Sequence, residues 1–121
     1  MSLAQVDEFF IGHPLGRGAF DRVAVLLSGT ADCRVVVSTS QVAFRRRRAF
    51  AWLWLPGRWL AHPAAEVVVS MSLGRADPSP RFKEVVHPAR AHWMHHLEIA
   101  DLADLDDEVA DWLREAAARA G

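Results

Sequence analysis

The chain has 121 residues, 51% of them hydrophobic and 24% charged, with a formal net charge of −1 and one cysteine. That is the profile of one ordinary soluble domain, able to bury a core without a metal or a disulfide, and Cys33 alone excludes an intramolecular bridge. No apolar run approaches the ~18 residues of a bilayer span, the acidic N-terminus is no secretory signal, and a near-neutral balance is not that of a surface devoted to nucleic acid; a cytoplasmic protein with no membrane association is expected.

The small net charge hides two poles. Residues 1–60 carry eight arginines and four acids, whereas residues 61–121 carry six basic residues and eleven acids. Such a chain can offer one basic patch to a polyanion, or pair its poles within or between protomers.

Ser2 with Gln5 three positions on is a capping box, and Leu3, Val6, Phe9 and Phe10 follow at helical spacing. Gly12 and Pro14 stop this helix. A second helical pattern buries Leu15, Ala19, Val23, Leu26 and Leu27, and Gly29 is expected to end it. The Gly16-x-Gly18 pair in its first turn follows a helix and lacks a third glycine, so it is not a phosphate loop.

Cys33–Ser38 reads as a strand through its β-branched run Val35, Val36 and Val37, with Cys33 a small buried hydrophobe. A hairpin follows, with one strand at Gln41–Phe44, a basic tip at Arg45–Arg48 and a strand at Phe50–Leu55. Alternation puts Phe50, Trp52 and Trp54 on one face and Ala51, Leu53 and Leu55 on the other. Both faces are apolar, so the strand is expected to be central and covered on both sides. Pro56-Gly57 turns the chain into a connecting segment carrying Arg58, Trp59 and Leu60.

Glu66–Leu73 is the next strand, with Val67, Val69, Met71 and Leu73 opposite Val68, Ser70 and Ser72. Gly74–Arg81 has a loop's composition and is the expected place for mobility. Phe82–Val86 and His92–Ala100 are two further strands. Along the second, Trp93, His95, Leu97 and Ile99 face one way, and His92, Met94, His96 and Glu98 the other. Asp104 is expected to cap a terminal helix whose apolar stripe is Leu105, Val109, Trp112, Leu113, Ala116 and Ala120. The whole is α+β over residues 1–121: two N-terminal helices, a mostly antiparallel sheet of five or six strands, and a C-terminal helix packed on it.

The Arg-rich hairpin followed by F-A-W-x-W-x-P, the strand W-M-H-H-L-E-I and the helix start D-L-D-D-E-V-x-x-W-L together resemble the bacterial family catalogued as domain of unknown function 5655, over about residues 8–119. The resemblance implies a small cytosolic bacterial domain, sometimes fused to nuclease-like modules. It brings no catalytic residues.

Two clusters are the candidate sites. Arg45, Arg46, Arg47 and Arg48, with Arg58 and Trp59 nearby, could hold a polyanion by bidentate contacts and base stacking. The plainer reading is a solvated hairpin tip, and a third pairs them with the acidic residues Asp104–Glu108 and Asp111. His92, His96 and Glu98 share a strand face and could form an acid–base or metal-assisted site. His95 on the opposite face reads as a core histidine bonded to backbone. The leading reading is a non-enzymatic binding or interaction module without cofactor or metal, self-associating or meeting another protein. Nucleic acid is the less favoured partner, and an enzyme is the rival class.

Overall fold

A computed structural model describes residues 2–121. Two helices come first, α1 (Leu3–Phe9) and α2 (Pro14–Leu26). Six strands follow, β1 (Arg34–Val37), β2 (Val42–Arg45), β3 (Ala49–Trp54), β4 (Val67–Leu73), β5 (Glu84–Ala89) and β6 (His92–Ile99), and α3 (Asp107–Arg119) closes the domain. The strands form one antiparallel sheet in the order β1-β2-β3-β4-β6-β5. This is the expected α+β architecture, with the Phe50–Leu55 segment central between β2 and β4.

Helix ends follow local chemistry. Ser2 and Gln5 make the capping box that starts α1. Pro14 opens α2, where its missing N–H costs nothing. His13 gives that end no side-chain cap, and Glu66 substitutes from across the fold, accepting from the Gly16 N–H at 2.8 Å. Gly16 is small for a packing reason: a Cβ there would lie 2.8 Å from the Phe10 ring. Helix α2 ends at Leu26, capped by Leu27, before the expected Gly29.

All three helices pack on one face of the sheet. Val6, Phe9, Ala19, Phe20, Val23, Val109, Trp112, Leu113 and Ala116 share one buried cluster with Val42, Phe44, Ala51, Leu53, Val69, Met71, Leu97 and Ile99. Phe20 stacks on Phe44 at 5.6 Å. Cross-strand register sets the remaining side chains on the opposite face: Trp52 is level with Ala43 and Ser70, Trp54 with Val68, and Ser70 with His96.

Expectations for β3 and for the start of the terminal helix change. Strict alternation would place Phe50 with Trp52 and Trp54, but Arg45 pairs with Ala49 while Phe44 pairs with Ala51. Phe50 is the extra residue of a β-bulge, and the bulge turns it into the helix-covered core at 1% exposure. Among the described residues no helix covers the second face of β3; the indoles and the segment after Pro56 shield it instead, leaving Trp52 and Trp54 half-buried. Asp104 does not cap the terminal helix. It closes a short turn at Leu102–Asp104 with Asp101, and Asp106 caps α3 by accepting from the Val109 N–H.

The loop after β4 is tied down rather than free. Arg75 forks onto both Glu115 carboxylate oxygens at 3.0 and 2.9 Å. Asp77 accepts from the Trp112 indole at 3.0 Å and from Arg75 at 2.9 Å. Arg81 donates to Asp106, to Glu108 and to the Asp104 carbonyl, so the acidic start of α3 is matched by Arg81. Phe82, expected to open a strand, is instead buried between His95 and Trp112, and β5 begins at Glu84. Among the described residues no helix is long and apolar enough to cross a membrane.

Candidate functional site

The arginine run occupies the β2–β3 turn, and that turn sits against the C-terminal end of α3. A helix leaves its last four carbonyls without intrahelical partners and carries partial negative charge there. Arg46 donates to the Ala117 carbonyl at 2.9 Å and to the Ala31 carbonyl at 2.9 Å. Arg48 donates to the Arg119 carbonyl, and the backbone N–H groups of Arg47 and Arg48 both donate to the Ala120 carbonyl. The tip therefore meets the end of the acidic helix, not its acidic start. Arg45 has an intermediate exposure and a buried Nε without a partner, while Arg47 is exposed. Of the four, the Arg47 side chain is the one most open to an external anion.

Arg58 and Trp59 are adjacent in sequence but divided in space. Arg58 donates to the Thr39 and Phe9 carbonyls, and its guanidinium lies 4.4 Å above the Phe9 ring. It ties the post-β3 turn to α1. Trp59 is 59% exposed and meets the ring of Trp54 at 6.0 Å, on the helix-free face.

His92, His96 and Glu98 share that face, as their spacing requires, but each has its own partner. His92 Nδ1 meets Ser72 Oγ at 3.0 Å, His96 Nδ1 meets Ser70 Oγ at 2.6 Å, and Glu98 pairs with Lys83 at 3.3 Å. Among the described residues no three His, Cys, Asp or Glu side chains converge on a point that could hold a metal ion.

Ser70 links Trp54 to His96. The indole N–H of Trp54 can only donate, and it reaches Ser70 Oγ at 2.8 Å. Ser70 Oγ also meets His96 Nδ1 at 2.6 Å, a contact the serine makes as donor or as acceptor according to the histidine tautomer. Burial lowers the His96 pKa, with the nearby Glu84 charge opposing and the neighbouring His95 adding to the fall. His95 is different in kind: fully buried, it accepts the Asp77 N–H on Nε2 and donates from Nδ1 to the Trp93 carbonyl. Burial pushes its pKa down as well. Cys33 is half-buried, and its thiol pKa is raised by burial.

Trp54, Ser70 and His96 form one wall of an open cleft of about 510 Å³, completed by Trp52, Trp59, Met94, Ser40 and Gln41. Of its lining, only Trp59 and His96 belong to the candidate residues named from sequence. The sequence does carry a signal for the rest. Large Trp52 and Trp54 stand on β3 beside small Ser70 and Ser72 on β4, and a large–small pairing across one face leaves a hollow beside the indoles. What could not be seen is that Trp59, after a turn, comes back to wall it.

No curated protein and no solved structure matches the chain. The family described as Domain of unknown function (DUF5655) matches residues 17–117, which include all six strands, the arginine turn and the cleft. By that match the chain belongs to the DUF5655 family.

Proposed function

We propose that this domain is a non-enzymatic binding module and that its binding surface is the tryptophan cleft on the helix-free face of the sheet. One observation carries the reading: three tryptophans, a methionine and a histidine converge on a hollow of about 510 Å³ with only a few polar groups. That combination of size and lining is the one small ligands occupy. The hairpin arginines support the reading indirectly, because Arg46 and Arg48 are spent on the end of α3.

A nucleophilic form of the enzyme reading would use the Ser70–His96 contact as nucleophile and base. Ser70 is 3% exposed and its oxygen already accepts the Trp54 indole. The pair is better suited to orienting His96 than to attacking a substrate.

A second reading, self-association through the same face, is favoured by its exposed apolar residues. Trp59 and Leu60 are 59% and 56% exposed, and Val36 and Val86 stand on the same side of the sheet. The test is an NMR fragment screen on the ¹⁵N-labelled chain, run beside sedimentation over a range of protein concentrations. Ligand-induced shifts gathered at Trp52, Trp54, Trp59 and His96 support the cleft. Shifts gathered at Arg47, or a gel shift with nucleic acid that falls steeply with salt, would move the site to the hairpin.

A further inference from the structure

The identity of the ligand rests on the reading of the cleft as a binding site. Its aromatic planes meet steeply. Trp54 and Trp59 lie 6.0 Å apart at 69°, and Trp54 and His96 lie 5.9 Å apart at 83°. Neither pair offers two parallel faces between which a flat ring would stack, and a flat guest would have to meet one ring of each pair edge to face. Rings set near right angles form the corner of a box, which suits a compact, rounded cation attracted by the electron-rich ring faces. Met94 adds a polarizable thioether to the same hollow.

Charge agrees with shape. Among the described residues no lysine or arginine lines the cleft, and neighbouring Arg58 is turned away onto backbone carbonyls and the Phe9 ring. Burial lowers the His96 pKa and favours its neutral ring, which does not oppose a cation. An adjoining hollow shares Trp54 and His96 and is bordered by Glu84, Glu98 and Lys83. Lys83 is paired with Glu98, and Glu84 has no ion-pair partner among the described residues. The local balance is one uncompensated negative charge.

We propose that the cleft binds a quaternary ammonium group, carried by a small solute of the choline type, seated against Trp54, Trp59 and Met94 with the Glu84 carboxylate as its counter-charge. The hollow is large enough to take such a solute whole. Specificity comes from the positive charge: a neutral molecule of the same shape gains the apolar contact without the ring attraction.

The test is titration of the full chain by calorimetry and tryptophan fluorescence with three probes: choline, its neutral isostere 3,3-dimethylbutan-1-ol, and a short peptide carrying trimethyl-lysine. The expected result is saturable choline binding, with the isostere weaker by about tenfold. Trp59→Ala should weaken choline by about tenfold while circular dichroism and melting stay unchanged, since Trp59 is more than half exposed. Glu84→Gln should weaken choline and leave the isostere unaffected. Equal binding of choline and isostere, or choline binding indifferent to Trp59→Ala, overturns the proposal. Tighter binding of the peptide overturns the small-solute assignment. If the isostere binds in a Trp59-dependent way and choline does not, the cleft stands as a binding site and the ammonium assignment falls. If no probe perturbs the cleft while other ligands shift residues elsewhere, both fall.

Discussion

Arg46 Nη1 donates to the carbonyl oxygen of Ala117 at 2.9 Å, joining the hairpin tip to the last turn of a helix 71 residues further along. The contact converts a run of four like charges into a cap. A guanidinium placed where a helix exposes its free carbonyls satisfies hydrogen bonds and opposes the dipole at once. The most conspicuous basic motif in the chain is thus partly a structural device.

Replacement of the tip arginines one at a time separates that role from binding. Arg46→Ala should destabilise the fold by about 1.5–3 kcal/mol, the range for a hydrogen bond made by a charged group. Arg47→Ala should change stability by less than about 0.5 kcal/mol, as at other exposed positions. Urea unfolding of both variants checks this. Equal effects would show that the clamp does not hold α3.

Ser70→Ala should cost about 1–3 kcal/mol, because it strands the Trp54 N–H and His96 Nδ1 on a half-buried face. It should also release the histidine tautomer. Long-range ¹H–¹⁵N spectra of the parent should show one predominant His96 tautomer, and those of the variant a mixture.

Gly16→Ala sets propensity against packing. Alanine is the better helix former by about 1 kcal/mol. Yet its Cβ would fall 2.8 Å from Phe10 Cδ1 and 3.0 Å from Phe10 Cε1, with Leu55 close behind. Phe10 is 3% exposed and has little room to move, so the variant should be less stable than the parent by about 1–3 kcal/mol. A raised melting temperature would contradict this.

The buried histidines set an acid limit. Folding holds His95 and His96 neutral, and burial lowers both pKa values. In the unfolded chain they titrate near about 6.5. Below that pH the unfolded state binds more protons, so stability is complete above about pH 6.5 and falls as the pH drops through the folded values. Denaturation midpoints measured between pH 7.5 and 5 should show the decline, and His95→Gln, which can still accept the Asp77 N–H, should flatten it. Asp106 acts in a lower window. The Val109 N–H, and then Arg81, hold its carboxyl below the usual range, so its contribution is present above about pH 3.9 and is lost on further acidification.

Much of this domain was legible in the residues themselves. The capping box at Ser2, the β-branched run of β1, the alternation of β4 and β6 and the stripe of α3 are local patterns, each decided by spacing and propensity within a few residues. They sufficed for the order of elements, the α+β class and the inward His95. Four matters were settled only when distant segments met. The bulge that turns Phe50 inward depends on how β3 pairs with β2. The use of Arg46 and Arg48 depends on where α3 ends. The pinning of the Gly74–Arg81 loop depends on acids of α3 that it can reach only in the folded chain. The tryptophan cleft depends on Trp59 returning over a sheet face that no helix covers. In each case the deciding contact joins residues far apart in sequence, and the energies that select it arise only from the packed structure.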